Sequence, residues 1–240
     1  MSVLAAQVRA ELRLLTRNGE QLLLTIGIPV LLLVFFSAVD VLPTGGGKAV
    51  DFLAPGVLAL AVMSTAMVGL GIATGFERSY GVLKRLGATP LGRARLVAAK
   101  IATVLVVEIA QLVVLALVAA ALGWRPGGGW VLVVAPVVLG TAAFAGIGLT
   151  LAGRVPGTLN LAAANGLYLV LLLLGGMVVS LAKLPGPVRA AAKALPSGAL
   201  SEALRGAFGA AHHVPGWSLA VLAAWAVAAP IAAALTFRWE

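Results

Sequence analysis

Cysteine is absent from the 240 residues, which removes disulfides, thiolate metal ligands and thiol nucleophiles together. The only imidazoles are the adjacent His212 and His213, so no spaced histidine set exists and no metal site is expected. Acidic residues number 8 against 17 lysines and arginines. Charged residues of both signs make up 10% of the chain, where soluble domains carry about 25%. Aromatic residues are sparse as well, at 6%. What is plentiful is apolar: 61% of residues are hydrophobic, 29 are glycine, and the apolar ones gather into long runs. This is the composition of a membrane protein. The net charge of +9 is therefore read through the sidedness of membrane loops and an anionic leaflet, with no nucleic-acid partner expected. The weight of Ala, Gly, Val and Arg points to a high-GC bacterial genome.

A nucleotide site is also missing. Gly45-Gly46-Gly47-Lys48 invites a phosphate-loop reading, but that motif needs glycine at 42 and Ser or Thr at 49. Leu42 and Ala49 stand there, so the chain is not expected to hydrolyse nucleotide or to bind a cofactor.

Six apolar runs are long enough to cross about 30 Å of hydrocarbon: 22–39, 52–75, 96–122, 130–152, 159–181 and 217–237. The basic start before the first run resembles a signal peptide. Its length, Pro29 and the lack of a small-x-small site before Asp40 favour a retained span. Ahead of it, within 1–21, Leu4, Val8, Leu12 and Leu15 recur at helical spacing with Arg9, Arg13 and Arg17 between them, the pattern of an amphipathic helix lying in the interface. Asp40 to Asp51 reads as a loop. Six crossings put both termini on one side, with Arg9, Arg13, Arg17, Arg78, Lys84, Arg85, Arg93, Arg95, Lys100, Arg154 and Arg238. Lys48, Arg125, Lys183, Arg189, Lys193 and Arg205 are left for the other. The richer side is expected to face the cytoplasm.

Phe76 to Lys100 is the strongest basic stretch between two spans. Wound as a helix, it gathers Phe76, Ser79, Tyr80, Val82, Leu83, Leu86 and Gly87 on one half and Glu77, Arg78, Lys84 and Arg85 on the other. Thr89-Pro90 is expected to end it, because the residue before proline disfavours the helical region. A short amphipathic helix within 76–90 is one reading; a solvated basic loop that only sets topology is the other. Lys100 is expected to reach the headgroups along its own stem.

Within the spans, Glu108 is the only well-buried acid, and Gln111 shares its face. Intramembrane carboxylates mark pathways or pair with polar groups, so Glu108 either meets a cationic substrate or proton, or tethers helices through a hydrogen bond. Small residues recur at four-residue spacing at Gly71 and Gly75, at Ala142, Gly146 and Thr150, and at Ala220, Ala224, Ala228 and Ala232, where close helix packing is expected. Between the last two spans, 182–216 carries an apolar stripe at Val188, Ala191, Ala192 and Leu195, a break at Pro196, and a second stripe at Leu200, Ala203, Leu204, Ala207 and Phe208, opposite Glu202 and Arg205. Two short helices dipping back from the outer side, capping a pathway, are expected. His212 and His213 follow, as structural residues or as a pH or metal sensor.

Phe52-Leu53-Ala54-Pro55-Gly56, the span end Gly75-Phe76-Glu77-Arg78, the run Gly81-Val82-Leu83-Lys84-Arg85-Leu86, Thr89-Pro90 and Lys100 resemble the membrane domain of bacterial type-2 ABC exporters. The likeness is to drug-resistance permeases of the daunorubicin type. Arg17-Asn18 before a Pro29-bearing span, and Pro196 with Glu202-Ala203-Leu204-Arg205, fit the same pattern. The resemblance implies an all-α integral membrane domain, single over 1–240, in the cytoplasmic membrane. Such a permease would dimerise with a second permease chain, as a homodimer, and dock two ABC ATP-binding subunits that carry ATP and Mg. Glu77, Arg78, Tyr80, Gly81, Leu83, Lys84, Arg85 and Leu86 would couple it to the ATPase. Arg9, Arg13 and Arg17 would lie on the interfacial helix, Glu108 and Gln111 beside a substrate pathway, and Pro196, Glu202 and Arg205 at the outer gate. No residue would be catalytic. Gly87 and Gly92 depart from the family pattern and would loosen the end of the coupling helix.

The function expected is export of hydrophobic or amphiphilic compounds, including drugs. The same machinery could instead move a lipid-linked glycan or another lipid, but sugar stacking would call for more aromatic residues. An ion-coupled carrier would show several buried ionisable groups, and an intramembrane enzyme a metal cluster or an activated nucleophile; the sequence offers neither.

Overall fold

Where side chains offer so little polarity, the backbone must satisfy its own hydrogen bonds, and a helix does so within one segment. The computed structural model describes residues 3–17, 19–39, 48–89, 92–210 and 212–237, and among them it is helical, with no strand. The helices are α1 Val3–Arg17, α2 Gly19–Ala38, α3 Ala49–Met63, α4 Leu70–Ser79, α5 Val82–Gly87, α6 Arg93–Ala121, α7 Trp130–Ala152, α8 Gly157–Leu174, α9 Gly186–Ala194, α10 Pro196–Phe208 and α11 Gly216–Thr236. A π turn, Ser64–Gly69, joins α3 to α4 without a break, so Ala49–Ser79 is one rod of 31 residues.

Among the described residues five helices are long and apolar enough to cross a membrane: Ala49–Ser79, α6, α7, α8 and α11. The apolar part of α2, Leu23–Ala38, is shorter. α7 is the hub, packed on α11, α4, α10 and the π turn. Gly146 lets α11 come close, since a Cβ there would stand 2.4 Å from the backbone nitrogen of Pro230. The face of α11 turned inward carries Leu222, Ala229 and Ala233.

Several expectations are corrected. Ala220, Ala224 and Ala228 are exposed on α11 and do not pack within the chain, because the inward face is set by Pro230 meeting Gly146. The helix expected over 159–181 ends at Leu174: the chain turns at Gly175-Gly176, and Ser201 and Arg205 of α10 take the freed carbonyls of Gly175, Gly176 and Met177. The second span outruns 52–75 at both ends and takes in Glu77 and Arg78. α2 begins at Gly19, inside the segment assigned to the interfacial helix. The loop 40–47, Asn18, Pro90, Leu91 and Arg238 lie outside the described residues, as do the side chains of Leu4 and Leu15.

Candidate functional site

At one end of the bundle the rod stops with a tight turn. Tyr80 and Gly81 donate their backbone N–H groups to Phe76 and Arg78, and Gly81 takes φ +70°, a left-handed conformation open to glycine at no steric cost. The chain reverses into α5. Leu83 pins this short helix, fully buried against Leu96 at the start of α6 and Phe237 beyond α11, with Leu86 packed beside them. Tyr80, at 74% exposure, together with Val82, Lys84 and Arg85, forms the outward surface.

A single helix over Glu77–Leu86, with Tyr80 and Val82 on its apolar half, is therefore corrected. Gly81 divides it, and the two charges nearest the membrane turn inward because they still belong to the rod. Arg78 donates to the carbonyl of Ala152 at the end of α7 at 3.0 Å. Glu77 meets Lys100, whose ammonium is 2.8 Å from one carboxylate oxygen and 3.1 Å from the other. Glu11 of α1 approaches the same ammonium at 3.1 Å and accepts from Gln7 at 2.9 Å. Lys100 is 1% exposed, so it does not reach the headgroups: two carboxylates hold it inside. A buried ammonium without such partners would cost several kcal/mol.

This cluster ties α1, the rod and α6 together, and Glu11 is the member that sequence reasoning missed. The signal was present. At about 100° per residue Glu11 lies at the edge of the stripe formed by Leu4, Val8 and Leu15, about 20° from Leu4. Lys100 lies within about 80° of Glu108 and Gln111 on α6, on the face that turns inward. Arg9, Arg13 and Arg17 are all exposed on α1. Next to Phe237, Arg93 and Arg154 line an open recess of about 560 Å³, so the basic surface continues past α5.

Mid-bundle, Gln111 accepts from Thr65 of the π turn at 2.9 Å and donates to the carbonyl of Thr25 on α2 at 2.7 Å. Thr141 of α7 donates to Glu108 of α6, whose second oxygen is buried with no partner among the described residues. Both side chains are fully buried and both link helices.

At the opposite end, Arg205 of α10 donates to the carbonyls of Phe52 and Gly176 at 2.9 Å and of Met177 at 3.1 Å, and its guanidinium lies 3.9 Å over the Phe52 ring. Burial draws this guanidinium down to about 10, while Glu202 pulls the other way, and it remains charged at neutral pH. Pro196 is buried in the first turn of α10 and Glu202 is half-buried. Leu200, Ala203, Leu204, Ala207 and Phe208 form the buried stripe of α10. His212, at φ +44°, sets its ring against the carbonyl of Ala207 at 3.2 Å. Among the described residues no cluster of His, Asp or Glu could hold a metal.

No curated protein matches the chain. Residues 3–208 match the family described as ABC-2 type transporter. That match begins with α1 and ends with α10, so the chain belongs to the ABC-2 type transporter family, as the multi-pass permease of an ABC-type exporter that draws on a separate ATP-binding subunit.

Proposed function

We propose that the chain is the permease of a drug exporter of the daunorubicin type in a bacterial cytoplasmic membrane, working as a homodimer on two ATP-binding subunits. α2, 20 residues and about 30 Å long, supplies a sixth span, and the basic end with both termini faces the cytoplasm. The observation that carries this reading is α5: a six-residue knob, pinned from beneath by Leu83, that presents Tyr80, Val82, Lys84 and Arg85 beside the recess of Arg93 and Arg154. An acidic groove on the ATPase complements such a surface. Closure of the two ATPase subunits pushes the knob, the Glu11–Lys100–Glu77 cluster passes the push to α1, the rod and α6, and the dimer interface opens outward. Glu77, Arg78, Gly81, Leu83 and Leu86 hold the knob to the rods, whereas Tyr80, Lys84 and Arg85 face the motor. The short helices α9 and α10 close the outer side, held by Arg205. A pathway so apolar suits hydrophobic or amphiphilic cargo.

The test is reconstitution of the chain with its co-expressed ATP-binding subunit in proteoliposomes, followed by extrusion of a fluorescent amphiphilic cation. Tyr80→Ala with Arg85→Glu should abolish ATP-dependent extrusion and lower co-purification of the ATPase at least tenfold, with the membrane level of the chain unchanged. Full extrusion by this variant removes the coupling role. Extrusion of a labelled lipid in place of the dye would move the cargo to the lipid class.

A further inference from the structure

On the end opposite α5, a groove of about 630 Å³ opens along α6 and α7, within the size range of ligand sites, roughly 300–1,000 Å³. Its walls include Leu105, Ile109 and Ala116 of α6, Val134 of α7, and Leu204 and Phe208 of α10, and no charged residue lines it. Along α6 the lining runs from Leu105 to Ala120, about 22 Å at 1.5 Å per residue. One leaflet is about half of a 30 Å hydrocarbon core, so the groove covers a leaflet's depth and about half as much again.

Its outer end is closed by an aromatic trio. Trp130 and Phe208 meet edge to face at 5.0 Å, and Trp124 touches both, at 5.9 and 4.9 Å. Indoles favour the headgroup level of a bilayer. Immediately beyond stand two cations. Arg125, exposed, follows Trp124, and the exposed Lys48 sets its ammonium 3.5 Å from the carbonyl of Gly123, one residue before that indole. The order along the chain is a carbon-lined furrow, then indoles, then two exposed positive charges. A diacyl lipid with an anionic headgroup has the same order: chain, glycerol, phosphate.

We propose that this groove is a binding site for one phosphatidylglycerol-class lipid, an acyl chain lying against α6 and α7 and its phosphate held between Lys48 and Arg125. A zwitterionic lipid would fill the furrow, but its own ammonium would compete with the two cations for its phosphate and be repelled by them. Since α10 supplies Leu204 and Phe208, the bound chain also braces the helix that Arg205 fixes to the rod. This site stands apart from the knob and does not depend on how the motor docks.

Native mass spectrometry of the purified full chain, with phosphatidylglycerol and phosphatidylcholine of identical acyl chains added at equal concentration, tests the assignment. One phosphatidylglycerol should be retained with about thirtyfold preference, the order expected when two basic residues face an anionic headgroup. Lys48→Ala with Arg125→Ala should bring the ratio close to one. Both side chains are exposed, so this variant keeps its fold. Ala116→Trp, which fills the furrow, should reduce retention of both lipids. Equal retention by the unaltered chain would mean annular lipid only and would overturn the assignment, as would a preference that survives the double substitution. In this cysteine-free sequence, Leu117→Cys chains that cross-link in high yield would put a second copy in the groove and overturn it as well.

Discussion

Lys100→Met would leave the carboxylates of Glu11 and Glu77 facing each other with no cation between them. Removing one partner of a buried ion pair costs about 3–5 kcal/mol, so this variant should melt well below the unaltered chain in detergent. Adding Glu11→Gln and Glu77→Gln should return most of the loss, because two neutral amides need no counter-ion; a single variant that melts normally would show that the three groups are not coupled. Glu108 behaves differently. Its bond to Thr141 survives in Glu108→Gln, which should keep melting within about 1 kcal/mol and leave export unchanged. Export lost at an unaltered melting point would restore the cargo-binding role. Part of this was legible. The intramembrane acid and its neighbour Gln111 stand out in an apolar run, but their partners Thr141, Thr65 and the Thr25 carbonyl lie on three other segments, and no spacing within α6 points to them. A long stem near a span end ordinarily reaches water, which is why the sequence alone places Lys100 at the headgroups; the two acids reverse that.

At the scale of the helix, the interiors of the runs were readable and their ends were not. Hydrophobic length marks α6, α7 and α11 because each crosses an apolar layer, whereas α8 stops seven residues early, at Leu174 against an expected 181, through bonds made by α10 from far along the chain. The segment 76–90 shows the same limit: of the half expected to be apolar only Leu83 is fully buried while Tyr80 and Val82 face outward, because a left-handed Gly81 splits the segment and assigns its two halves to different partners. Gly81→Val tests this. A β-branched residue in that conformation costs on the order of 1–2 kcal/mol, so α5 should be displaced and the ATPase lost from the purified complex, with melting lowered only slightly. Gly146→Val should act globally. Its side chain would run into the backbone of Pro230, and overpacking at a helix crossing costs about 1–3 kcal/mol, visible as a lower melting point with no selective loss of the motor subunit.

For the molecule as a whole, the two ends carry different chemistry. One has Arg9, Arg13, Lys84, Arg85, Arg93 and Arg154 around α5; the other has the aromatic trio, α10 and the site of Arg205. The absence of cysteine makes the sidedness measurable with single substitutions. In intact cells, a membrane-impermeant maleimide should label Arg125→Cys and leave Arg85→Cys unlabelled until the membrane is opened; the reverse pattern would invert the orientation. The tally of basic residues yields an expected sidedness, because the positive-inside bias depends on loop charge and not on packing.

The rod from Ala49 to Ser79 has a consequence of its own. Near one tip the Phe52 carbonyl is clasped by Arg205, near the other Glu77 is clasped by Lys100, and the π turn sits between them. A π turn inserts about one residue relative to a plain helix, and each residue carries about 100° of rotation, so that turn fixes the angular phase of one clasp relative to the other. Excising Val68 would swing the inner clasp by nearly a third of a revolution while leaving the outer one seated. The two sides of the membrane are thus geared through one element, and the wide turn at its middle is the tooth that sets their mesh.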